Sequence, residues 1–120
     1  VTETADNHPE SELRTRYFRA RADDVVNHLE ELGRQKPFCL VHVDRLRHEV
    51  MLEWKNGLGL MHDVVVTVYE LSPLRVAVDI HAAIRSKVMD WGWNRKIVNA
   101  VYRHLEQKWT PEERRKMDHA

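Results

Sequence analysis

Two short motifs carry the residue types for metal or acid–base chemistry. His42-x-Asp44 and Asp79-x-His81 each set an imidazole and a carboxylate two residues apart. In an extended strand that spacing puts both groups on one side. An imidazole and a carboxylate can hold zinc at about 2.0–2.2 Å, or act as an acid–base couple. His42, Asp44, Asp79 and His81 therefore define one reading of the chain, a metal-dependent enzyme or metal binder. The simpler reading is a solvated sheet face with scattered histidines, because the spacing matches no established metal signature.

Nucleophilic chemistry has less support. Neither Ser72 nor Ser86 sits in a Gly-x-Ser-x-Gly elbow. Cys39 lies in a β-rich run and is expected to be a small buried packer rather than a thiolate. "NGLG" at 56–59 lacks the Lys-Ser/Thr that follows in a phosphate loop. No catalytic residue and no cofactor are assigned, and the chain leans away from being an enzyme.

The segment "RSKVMDWGWNRK", residues 85–96, is the other place where residue types converge. Asp90 and Asn94 straddle an expected helix start, and either can accept from the free N–H groups of a first turn. Gly92 permits backbone angles closed to other residues. Trp91 and Trp93 either bury this corner or present it to a partner, and burial is the expected outcome. Arg85, Asp90, Trp91, Trp93, Asn94 and Arg95 form the candidate binding set.

These groups must be positioned by a small domain. At 120 residues the chain is long enough for one core, and 42% hydrophobic with 32% charged residues is ordinary for a soluble protein. Lys plus Arg equals Asp plus Glu at 19 each, so the net charge of zero argues against a nucleic-acid binder. The single cysteine excludes an intrachain disulfide. No apolar run approaches the roughly 20 residues of a membrane span. "VTETADNHPESE" lacks the basic and apolar regions of a signal peptide. The expected home is the cytoplasm, a removed targeting segment being compatible with a chain that begins at Val1.

Residues 1–12 are polar and expected to be a flexible lead-in. "LRTRYFRA" alternates as a short edge strand. "RADDVVNHLEELGRQKP" reads as a helix, capped by Asp23 or Asp24, with Val25, Val26, Leu29 and Leu32 as its stripe and Gly33 as its stop. Four strands are expected at 38–45, 48–55, 62–71 and 74–85. In the last, Leu74, Val76, Val78, Ile80, Ala82 and Ile84 alternate with more polar residues. Such alternation marks an antiparallel sheet covered on one face. A second amphipathic helix follows at 94–109, its stripe being Ile97, Val98, Val101, Tyr102 and Leu105. "TPEE" at 110–113 reads as the capped start of a further helical turn.

The expected fold class is α+β, an antiparallel meander of four to five strands with two helices packed on one face. The single domain spans residues 13–110, and 111–120 is a short helical extension or tail.

The corner residues also resemble a known family. Arg85, Asp90, Gly92, Asn94, Arg95 and Ile97 fall on the closing motif of the domain of unknown function 1499 family, Ser-Arg-x-Gly-x-x-Asp-x-Gly-x-Asn-Arg. "MHDVVVTV", with Asp63, is similar to its acidic, valine-rich strand. "YFRARADDVVNHL" is similar to its opening strand and helix. The resemblance covers about residues 14–108. Ile84 stands where the family has Ser, Lys87 where it has Gly, and His81 where it has an earlier Arg, so a polar pocket built on those groups is altered here. The resemblance implies a fold and a corner but no reaction. The expected function is a small non-catalytic domain of bacterial type, acting by binding or self-association. A homodimer through the outer sheet face, at Met51, Val65 and Tyr69, is the partner that face suggests.

Overall fold

A computed structural model describes residues 1–86 and 89–113. The strands are β1 (Thr2–Glu3), β2 (Arg16–Phe18), β3 (Phe38–Asp44), β4 (Glu49–Lys55), β5 (Met61–Ser72), β6 (Arg75–Ile84) and β7 (Pro111–Glu112). The helices are α1 (Ala22–Leu32) and α2 (Trp93–Glu106). A single 3-10 turn, Ser11–Leu13, precedes β2. The expected α+β class holds: consecutive strands pair antiparallel in the order β3-β4-β5-β6, and β2 and then β7 continue the sheet. No helix among the described residues is long and apolar enough to cross a membrane.

The period-2 pattern decides which face is covered. Val50, Leu52 and Trp54 of β4, Val64, Val66 and Val68 of β5, and Val76, Val78, Ile80 and Ala82 of β6 are buried. They pack against Val25, Val26, Leu29 and Leu32 of α1 and Ile97, Val98, Val101 and Leu105 of α2. Both helices need an apolar surface and the sheet supplies one, so they lie side by side on it. Tyr102 reaches through this layer, its hydroxyl 3.0 Å from the carbonyl oxygens of Arg14 and Val78. Burial pushes its phenol well above the usual tyrosine range.

Several expectations are corrected. The sheet has seven strands among the described residues rather than four to five. The lead-in is tied down: Thr2 and Glu3 pair with Ala82 and His81 on the edge of β6 that β2 also uses. The Thr4 hydroxyl donates to Asp79 at 2.7 Å. Pro111 and Glu112 do not begin a helix but pair with Phe18 and Tyr17. The rest of the expected C-terminal extension, residues 114–120, lies outside the described residues. Asp23 and Asp24 lie inside the first turn of α1, where they meet its positive end, and no side chain caps that helix. Cys39 is exposed on the edge strand rather than buried.

Gly33 ends α1 where the chain passes against the sheet. A Cβ there would lie 2.8 Å from Leu40 Cβ and 2.9 Å from Leu52 Cδ2. Leu52 is fully buried, and the Leu40 contact is to Cβ and, at 3.1 Å, to its Cα rather than to a flexible side-chain tip. Gly33→Ala is therefore expected to cost about 1–3 kcal/mol by overpacking, read as a lower urea midpoint at unchanged slope.

Candidate functional site

Where β4, β5, β6 and the start of α2 meet, a polar chain runs through the core. Asn56, in the β4–β5 turn, accepts the N–H groups of Leu58 and Leu60 on Oδ1 at 2.8 and 3.1 Å. Its amide nitrogen must then be the atom 3.1 Å from His62 Nε2. His62 accepts there, so it carries its proton on Nδ1 and donates to Asn94 Oδ1 at 2.7 Å. The orientation of every member follows from the two backbone N–H groups at the start. Both His62 and Asn94 are without solvent exposure. Trp54 and Trp93 pack edge-on against the imidazole, at centroid distances of 5.4 and 6.0 Å. Asn94 Nδ2 is left with no hydrogen-bond partner among the described residues.

The corner above this chain is built as its residue types imply. Asp90 Oδ1 accepts the Asn94 N–H at 2.9 Å, and the Asp90 carbonyl accepts the Trp93 N–H at 3.2 Å. Gly92 lies at φ +84°, in the left-handed region that favours glycine. Trp91 precedes it at φ +58°, where a bulky residue is strained.

Arg85 does not meet Asp90. Asp63 and Glu53 stand directly opposite each other on β5 and β4, a like-charge arrangement that destabilises a ladder. Arg85 closes over both, donating to Asp63 at 2.6–3.1 Å and also to Glu53. Those carboxylates hold its guanidinium well above the usual arginine range. Arg95 pairs likewise with Glu12 at 2.6 Å and with Glu10, tying α2 to the 3-10 turn.

Five of the six candidate binding residues are thus engaged within the chain. Arg85 neutralises the sheet surface, Asp90 accepts the Asn94 N–H from two residues before the Gly92 cap position of α2, Trp93 and Asn94 enclose His62, and Arg95 holds the N-terminal segment. Trp91 is the exception, 73% exposed, and the expected burial of the whole corner is corrected for it. Met89, two residues before it, is 70% exposed, and Leu58, in the turn at the same end of the sheet, is 71% exposed.

The His/Asp motifs do lie on the sheet face away from the helices, but they do not come together. His42 and Asp44 sit on β3, Asp79 and His81 on β6, with β4 and β5 between them. Three strand spacings are roughly 14 Å, far beyond the span of a shared ion. Asp79 instead accepts the hydroxyls of Thr4 and Thr15, each at 2.7 Å, and His81 pairs with Glu3 at 2.6 Å.

A donor cluster that the sequence reading missed joins the two helices. Ring nitrogens of His28 and His104 and a carboxylate oxygen of Glu31 lie within 4.8 Å of one another. The two rings stack at 3.9 Å with only 13° between their planes. In-plane lone pairs of near-parallel rings run side by side rather than converging, so the stack must break before both could bind one ion.

No family model matches the chain, and no curated protein or solved structure matches it either.

The hydrogen bond that Asp90 accepts from the first turn of α2 separates from any role for its charge by substitution. Asp90→Ala is expected to destabilise by about 1 kcal/mol, and Asp90→Asn by only a few tenths, since both Asp and Asn cap well. Urea denaturation of the two variants reads the difference.

Proposed function

We propose that this chain is a non-catalytic binding domain whose contact point is the Trp91 corner. The observation that carries the proposal is the contrast within one turn. Every other candidate side chain there is committed to the fold, while Trp91 is held outward in a strained backbone conformation. Strain of this kind costs on the order of 1–3 kcal/mol and persists only where the surroundings enforce it. The buried chain of Asn56, His62 and Asn94 is such a surrounding. Tryptophan is also the residue type most enriched at the energetic centres of interfaces. Met89 and Leu58 supply further apolar area at the same end. A protein with an apolar pocket is the partner this surface suits, in the cytoplasm and without nucleic acid.

Membership of the domain of unknown function 1499 family is part of the proposal. It rests on Arg85, Asp90, Gly92, Asn94, Arg95 and Ile97, and brings no activity with it. The metal reading at His42, Asp44, Asp79 and His81 loses support from the separation of the two pairs.

A second reading, self-association as a homodimer, draws on the uncovered sheet face. Met51 and Val65 lie there half-buried and Tyr69 is 50% exposed, with no helix over them. Sedimentation velocity separates the readings. A dimer abolished by Val65→Lys but not by Trp91→Gly supports the sheet face. A photo-crosslinking residue at position 91, introduced in the native host, tests the corner, with position 46, where Leu46 is 97% exposed in the β3–β4 turn, as control. A discrete adduct from 91 alone supports the proposal; equal labelling from both, or none from 91, overturns it.

The two tryptophans are expected to behave oppositely. Trp91→Gly removes strain and little packing, so stability should hold or rise by up to about 1 kcal/mol, while the adduct or partner affinity is lost. Trp93→Ala should cost on the order of 2–3 kcal/mol, somewhat below the range for fully buried aromatics.

A further inference from the structure

The histidine pair between the helices has a hydrogen-bond pattern that neutral rings do not satisfy. His28 Nε2 faces the His104 carbonyl oxygen at 2.9 Å, and His104 Nε2 faces the His28 carbonyl oxygen at 2.7 Å. A carbonyl only accepts, so both Nε2 atoms must carry protons. That leaves the His28 Nδ1 lone pair facing the Glu31 carboxylate at 3.1 Å, acceptor against acceptor. An imidazolium at His28, with both nitrogens donating, would satisfy all three contacts beside a neutral His104 ring.

We propose that the His28–His104 stack is a proton-operated clasp between α1 and α2: it accommodates one proton, on His28, and is opened by a second, on His104. The first proton is matched by Glu31 on the same helix. The second has no such match. It would place two like charges in rings whose centroids are 3.9 Å apart, with the Lys108 ammonium also acting against it and Glu31 supplying the opposite sign among the described residues. His28 and His104 are 7% and 6% exposed, so water screens little of this repulsion. Burial is the main cause holding the His104 proton affinity below the ordinary histidine value of 6.5, and the His28 charge adds to it.

Opening the clasp has a definite consequence. Trp109 packs edge-on against His28 at 5.6 Å, and two residues later β7 adds to β2. Separation of the rings frees Trp109 and loosens that closing strand. The sign follows from linkage. A histidine held neutral in the fold and free to protonate when unfolded leaves stability intact above about pH 6.5, and stability falls as pH drops below it.

The test is a titration of the full chain from pH 8 to pH 4, following ring nitrogen shifts of both histidines and the Trp109 indole signal by NMR. Two steps are expected, separated by at least about one pH unit. The first goes to His28 with the Trp109 signal unmoved; the second goes to His104 and coincides with the Trp109 shift. His28→Gln keeps a donor to the His104 carbonyl but no charge, and should move the Trp109 transition to lower pH. Glu31→Gln, at a side chain 58% exposed, should narrow the gap between the two steps. A single common step, or a Trp109 signal that never moves with His104, overturns the proposal. So does a rise in melting temperature on adding zinc at pH 7.5 that His28→Gln abolishes, since the cluster would then serve a metal.

Discussion

A histidine with no access to water must find one acceptor and one donor inside the protein, and this requirement on His62 organises the end of the molecule that carries the corner. Its partners come from the β4–β5 turn and from the first turn of α2, which are otherwise unrelated in sequence. A buried polar atom left without a partner costs about 1–3 kcal/mol, so the three elements either settle together or each leaves such an atom behind. The chain of orientations leaves both N–H groups of Asn94 Nδ2 without a partner among the described residues. That cost is accepted because Asn94 also has to receive the His62 proton and offer its backbone N–H to Asp90.

The same polar chain explains why neighbouring tryptophans have different fates. Trp93 begins α2 directly beside Asn94, and the register that puts Asn94 on His62 also lays Trp93 against the imidazole. Trp91 is separated from it by a left-handed glycine and is itself left-handed, which turns its side chain away from the core. With Asp90 fixed by the Asn94 N–H and Asn94 fixed by His62, little freedom remains for the residues between. Exposure of Trp91 follows from the constraints on either side of it.

The architecture was legible because it rests on period. The alternation in β4, β5 and β6 and the stripes of α1 and α2 placed the core on the correct face, since burial acts on every second or every third-to-fourth residue alike. The two-residue strands β1 and β7 carry no period and exist only because β6 and β2 offer unpaired edges. Cys39 was misplaced because "FCLV" is apolar at both parities, and the bulge between Leu40 and His42 breaks the alternation besides. The buried histidines left a readable trace: His62 shares parity with Val64, Val66 and Val68, while His28 and His104 follow Val25 and Val101 by three residues. What no local pattern could supply was the partner. Asn94 is 32 residues from His62, and the His28–His104 contacts span 76.

The two buried histidine arrangements solve the same problem with different capacity for change. Around His62 both nitrogens meet neutral amides, those of Asn56 and Asn94. At the helix seam each ring leans on a backbone carbonyl, and the remaining group is Glu31, whose side chain reaches solvent. On the proposed clasp, that carboxylate is the counter-charge for a proton on His28. The helix seam thus keeps a carboxylate within reach of its rings, while the brace that holds sheet, turn and helix in one register is built from neutral amides.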